Sequence, residues 1–211
     1  MKLYSTVMKE AQAEQVIEKS RFITHVRPVS SREEAEAFFK EKRKEYWNAT
    51  HNVPAMVIGD HFQIQWGSDD GEPQGTSGAP IVQLLVQEGI TNVAIVVTRY
   101  FGGIKLGTGG LVRAYTSSAK IGLEAAEIGD VEVMTALRCK IDYKGFNKVQ
   151  SYSFGGIGSI EEIEYTDIVR FLFVCDPSVE DECREVLNGL TGGSLEIESA
   201  EEKLVCLPRK Q

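Results

Sequence analysis

The sequence predicts an α+β protein in two parts, residues 1–130 and 131–211, on three observations. The stretch Val93 to Lys120, VAIVVTRYFGGIKLGTGGLVRAYTSSAK, passes from an apolar β-branched run through five glycines into a helical pattern. After Gly129-Asp130 the pattern restarts as strand, helix, strand, strand, helix, strand. Acidity is also unevenly shared: the chain has net charge -8, of which residues 1–130 carry -2 and residues 131–211 carry -6. Net charge therefore makes the second part a poor polyanion binder, and any phosphate contact is expected in the first.

In the first part, Phe22, Thr24 and Val26 alternate with Ile23, His25 and Arg27, so the second half of Glu14 to Val29 reads as a strand. Ser30 or Ser31 with Glu33 or Glu34 three residues on forms a capping box that opens a helix from about Arg32 to Trp47. The KEKRKE run on it mixes both signs and reads as a solvated face. Val53 to Ile58 and HFQIQW read as two strands joined by a two-residue Gly59-Asp60 hairpin turn, with Phe62, Ile64 and Trp66 alternating. Ser68 to Pro80 is a loop, Ile81 to Glu88 a short helix, and Val93 to Val97 a strand buried on both faces.

Beyond that strand, Leu111, Tyr115, Ala119 and Leu123 fall four apart on one face of a helix running to about Glu127. A helix whose first turn is Gly-rich leaves backbone N–H groups unpaired, which makes a generic anion site. From Gly89 to Leu123 there is no Asp or Glu, while Arg99, Lys105, Arg113 and Lys120 are basic. The alternative is that the glycines only allow close helix-strand packing.

In the second part, strands are expected over Ala136 to Tyr143, Ser159 to Tyr165, Ile168 to Cys175 and Ser194 to Val205, with helices over Lys144 to Ser153 and Val179 to Leu190. Asp176-Pro-Ser178 caps the second helix, and Glu180, Asp181 and Glu182 suit its first turn. This is the ferredoxin-like split β-α-β arrangement. Phe171 and Phe173 lie in a run that is apolar throughout and read as core packing, not as a base-stacking pair.

Composition narrows the function classes. No stretch of about 18 apolar residues exists, so no membrane span is expected. The N-terminus lacks the apolar core of a signal peptide, which points to the cytoplasm. Cys139, Cys175, Cys183 and Cys206 lack metal spacing and read as reduced thiols, and no two of His25, His51 and His61 are three or four apart, so neither a metal nor a cofactor is expected.

The residues also resemble a known family. Gly78, Ile81, Val82, Leu85, Ile90, Val96, Val97, Arg99, Tyr100, Phe101, Gly102, Gly103, Leu106 and Gly107 fill, at fixed spacings, the pattern of the IMPACT family, specifically its bacterial two-domain members of the YigZ type. KSRF, ATHN and SDDGEPQGTSG look like further blocks of that family. The resemblance implies an N-terminal domain with the fold named for the second domain of a small-subunit ribosomal protein. It also implies a ferredoxin-like C-terminal domain similar to the last domain of elongation factor G. Eukaryotic relatives regulate translation through an extra N-terminal module absent here, and the resemblance transfers no catalytic residues.

Three functions stay open. The first is a translation-linked binder of RNA, the ribosome or nucleotide phosphate. Its charge would come from Arg99, Lys105 and Arg113, and its geometry from Gly102, Gly103 and the stretch Gly107, Thr108, Gly109 and Gly110. The second is a small enzyme acting on a phosphorylated metabolite, with His51, Asp69, Asp70 and Glu72 as candidate catalytic groups if their loops meet those of Arg99 and Lys105. Acids beside Gly and Pro also commonly satisfy local backbone N–H groups, which is the turn reading of Asp69, Asp70 and Glu72. The third is a protein partner bound through an interface.

Overall fold

The computed structural model describes residues 2–209. The chain divides into two compact units, Lys2–Val131 with the chain's end from Cys206 on, and Glu132–Val205. The architecture is α+β, with helices on two sheets.

In the N-terminal unit the strands are β1 (Lys2–Val7), β2 (Ala11–Ile17), β3 (Ser20–Pro28), β4 (His51–Ile58), β5 (Ile64–Gly67) and β6 (Val93–Tyr100). The helices are α1 (Arg32–Glu45), α2 (Gly78–Gln87) and α3 (Gly107–Ala126). One sheet has the order β2-β3-β6-β4-β5, and every neighbouring pair is antiparallel. Central β6 is buried on both faces because each face meets its own core. Val93, Ile95 and Val97 pack with Ile81 and Leu85 of α2 and with Leu111, Tyr115 and Leu123 of α3, whereas Ala94 and Val96 pack with Ala35 and Phe38 of α1. The face Leu111, Tyr115, Ala119 and Leu123 is the buried face of α3, as its spacing predicts.

Helix α1 opens on the capping box. Ser31 Oγ accepts from Glu34 N at 3.2 Å, and Glu34 in return accepts from Ser30 N at 2.7 Å, so the two serines share the work of one cap. Four elements differ from the sequence expectation. Strands β1 and β2 are additional. The β4–β5 hairpin turn spans residues 59–63, with Phe62 at φ 58° in the turn and not in the strand. Helix α2 begins at Gly78, three residues earlier than its apolar pattern.

The C-terminal unit is built from most of β7 (Ile128–Ile141), α4 (Tyr143–Ser151), β8 (Gly158–Tyr165), β9 (Val169–Cys175), α5 (Glu180–Thr191) and most of β10 (Glu196–Pro208). Its strands pair in the order β10-β7-β9-β8, within a five-stranded sheet in which β7 also pairs with β1. Strand β7 starts at Ile128, so Gly129-Asp130 lies within a strand and does not break the chain. Phe171 and Phe173 are buried in the core with Phe146, Val149 and Leu187. Asp142 caps α4 through Gly145 N at 2.7 Å, and Asp176 accepts from Ser178 N at 2.8 Å in a 3₁₀ turn that leads into α5.

Candidate functional site

The site is assembled where the start of β4 meets the end of β6. Antiparallel register sets His51 opposite Arg99 and Asn52 opposite Thr98. The loop from residue 68 to residue 77 then folds over this end of the sheet, held by its own acids. Asp70 accepts from Asn52 N at 2.6 Å and from Arg43 Nη2 at 2.5 Å. Asp69 turns the other way, accepting from Gly75 N (2.7 Å), Ser77 N (3.1 Å), Ser77 Oγ (2.7 Å) and Gly78 N (3.0 Å). Ser77 leads into α2 without a side-chain cap of its own, so Asp69 supplies that cap from nine residues upstream. Burial works to raise the Asp69 carboxyl's pKa, but these donors outweigh it and hold the group below its usual range. Asp69→Ala is expected to destabilise the unit by about 1–2 kcal/mol in urea unfolding, the cost of a lost cap.

Glu72 carries the loop inward. It is 9% exposed, and its Oε1 accepts from Arg99 Nη1 at 2.6 Å and from Tyr115 Oη at 2.8 Å, with His51 Nε2 at 3.7 Å. Arg99, 4% exposed, also donates from Nη2 to Ser20 Oγ at 3.2 Å. Its guanidinium lies over the rings of Phe22 and Phe101, at 5.4 and 5.5 Å from their centroids. Burial first, and then the Glu72 charge, push the Tyr115 phenol's pKa well above its usual value, so it stays protonated and serves as a donor. Arg99 Nε is buried without a hydrogen-bond partner among the described residues.

This cluster forms part of the lining of a cavity of about 460 Å³. Pro73, Phe101, Leu106 and Leu111 supply apolar lining, and Lys105, Gly107 and Thr108 bring the start of α3 to it. The volume and the mix of apolar lining with a few convergent polar groups are those of a small-molecule site. Helix α3 begins without a side-chain cap, leaving its first N–H groups to be satisfied by solvent or ligand. The Arg113 guanidinium lies beside Gly109, where a Cβ would be 3.8 Å from Nη1, so it adds positive charge to the same helix end. A second groove, about 520 Å³, shares Lys105 and Leu106 with the first and continues past Gly110 and Arg113.

The glycines divide between two roles. A Cβ on Gly102 would stand 2.0 Å from Lys19 O, so this residue permits the backbones of β3 and the β6–α3 turn to touch. Gly107, at φ 70°, turns the chain into α3 with open space where a side chain would go. Gly103, Thr108 and Gly109 are exposed, and Gly110 is half-buried.

Of the residues singled out from sequence, His51, Glu72, Arg99, Lys105, Gly107 and Thr108 line one cavity, and Asp70 supports it through its backbone carbonyl. Asp69 does not join it, because its oxygens are taken by the α2 cap. Arg99 is not an open cation, because Glu72 neutralises it. Ser20, Thr50, Phe101 and Tyr115 complete the site and were not anticipated. Tyr115 reads as core in the helical pattern, yet a buried phenol needs a hydrogen-bond partner, and that was the available signal. Among the described residues, no group of three or more His, Cys, Asp or Glu is placed to hold a metal ion, and no helix is long and apolar enough to cross a membrane.

Comparison with known proteins agrees with the residue pattern. The model of the Impact N-terminal domain matches residues 18–123, which include every residue lining the 460 Å³ cavity. The IMPACT family member YvyE of Bacillus subtilis (strain 168) is 39% identical, with 94% of this chain and 91% of that protein covered. YigZ of Escherichia coli (strain K12) is 33% identical over 88% of this chain and 92% of its own length. A crystal structure described as that of a hypothetical protein is 29% identical with a TM-score of 0.58, covering 100% of this chain and 99% of that one. By domain match and by near full-length identity, the chain belongs to the IMPACT family.

Proposed function

We propose that the N-terminal unit binds nucleotide phosphate in the 460 Å³ cavity, and that this binding serves a cytoplasmic, translation-linked role. The observation that carries the reading is the meeting, at one cavity, of an uncapped 20-residue helix start and a nearly buried Arg99 whose Nε has no partner. Lys105 and Arg113 supply the open charge, since neither makes an ion pair among the described residues. Phe101, 47% exposed beside the Arg99 guanidinium, offers a ring face for a base. The strand order β10-β7-β9-β8 supports reading the C-terminal unit as ferredoxin-like, similar to the last domain of elongation factor G. The N-terminal unit is read as the fold of the ribosomal protein's second domain.

Titration with adenosine 5′-monophosphate and inorganic phosphate tests the reading. Both are expected to bind with affinity that falls as salt rises, and Lys105→Ala/Arg113→Ala together is expected to cost about tenfold or more and to flatten the salt dependence. Phe101→Ala should weaken the nucleotide and spare inorganic phosphate. No binding of either probe at millimolar concentration, or a double variant that binds like wild type, would contradict it.

A further inference from the structure

His51 is more tightly specified than a chance neighbour of the cavity would be. It occupies the first position of β4, and its Nδ1 lies 2.8 Å from the backbone carbonyl oxygen of Asp70. A carbonyl can only accept, so Nδ1 carries a proton, and in the neutral ring Nε2 keeps the lone pair. Gly71, at φ 88°, runs along the ring, where a Cβ would be 3.6 Å from both Cε1 and Nδ1. The side chain is 18% exposed, and the residue lines the cavity. Its polar neighbour Glu72 offers Nε2 no hydrogen: Oε1 is 3.7 Å away, beyond hydrogen-bond distance, and already accepts from Arg99 and Tyr115. The imidazole is thus fixed by a backbone carbonyl in the tautomer that leaves an acceptor in a cavity whose cations Arg99 and Lys105 are donors only and whose carboxylate, Glu72, already accepts through Oε1 from Arg99 and Tyr115.

We infer that His51 Nε2 accepts a hydrogen bond from a hydroxyl of the bound molecule, so that the site selects phosphate-bearing ligands that also carry a hydroxyl, a ribonucleotide before its deoxy form. The inference rests on the phosphate reading above and adds the second recognition point that phosphate alone lacks. His51 is a specificity residue in this account, and Asp70 is its positioning residue through the main chain. A ligand without the hydroxyl leaves Nε2 unpaired in a partly desolvated site, which is where hydrogen-bonding sites discriminate.

The test compares adenosine 5′-monophosphate with its 2′,3′-dideoxy analogue on the whole protein. Wild type should prefer the ribonucleotide by about tenfold, the range of one hydrogen bond. His51→Leu should bind the two alike, and His51→Gln, which keeps a carbonyl acceptor, should retain part of the preference. Equal wild-type affinity for both nucleotides, each still competed off by inorganic phosphate, would overturn this inference and leave the phosphate site standing. Failure of both nucleotides and of inorganic phosphate to bind would overturn the two together. Nitrogen NMR of the ligand-free protein at mildly alkaline pH gives a readout independent of any ligand. It should show His51 protonated at Nδ1 with a bare Nε2, and an Nε2-protonated ring would overturn the assignment.

Discussion

Glu72→Leu is expected to destabilise the N-terminal unit by about 3–5 kcal/mol, the largest single-substitution effect in this region. The substitution strands the Arg99 guanidinium, 4% exposed, without its counter-charge at 2.6 Å, and removes the acceptor of the buried Tyr115 hydroxyl. Removing both charges is a different matter, because a buried pair gains back little beyond its desolvation. The double variant Glu72→Leu/Arg99→Leu should therefore recover most of the loss. Urea unfolding of the two single variants and the double variant gives the coupling energy directly. A double variant as unstable as the sum of the singles would show that the two residues act separately.

Acid should expose a second buried group. His25 on β3 is 3% exposed, lies 4.7 Å centroid to centroid from the Tyr46 ring, and has a buried Nε2 with no hydrogen-bond partner among the described residues. Burial first, then the nearby Lys42 ammonium, lower its pKa from 6.5 to about 4, against the opposing pull of Glu45, Glu10 and Glu41. The folded state therefore refuses a proton that the unfolded chain takes up. The contribution is complete above about pH 6.5 and is lost as pH falls towards about 4, to a total of about 3 kcal/mol. His25→Leu removes this term. Wild type minus variant stability should slope through that window, and a flat difference would contradict the assignment.

Much of the frame was legible because it is periodic. The β-branched run of β6 and the four-residue spacing on α3 are local patterns that burial then honours, and the Ser-Ser-Arg-Glu-Glu box marks the start of α1 to the residue. Strand β2 escaped because it is an edge strand, AQAEQVI, whose two faces are exposed and half-buried, so its alternation is polar on both sides. The site was only half legible. Basic residues at a Gly-rich helix start can be read from composition, but the partner that neutralises Arg99 lies 27 residues away in a loop without periodicity. Asp69 and Asp70 are adjacent and chemically equal, and only the fold of that loop sends one to cap α2 and the other to Arg43 and Asn52. Glycine was ambiguous for the same reason. Gly102 serves close packing, as the packing reading has it, whereas Gly107 makes an open turn.

The central claim is that a phosphate-bearing ligand sits at the start of α3, against the Arg99–Glu72 pair. Amide NMR of the ¹⁵N-labelled protein during titration with adenosine 5′-monophosphate tests it most directly. Saturable shifts are expected on the amides of Lys105 to Gly110 and on Phe101, with His51 following and the C-terminal unit unchanged. Saturable shifts that leave those amides still, or no shifts at millimolar nucleotide, would contradict it.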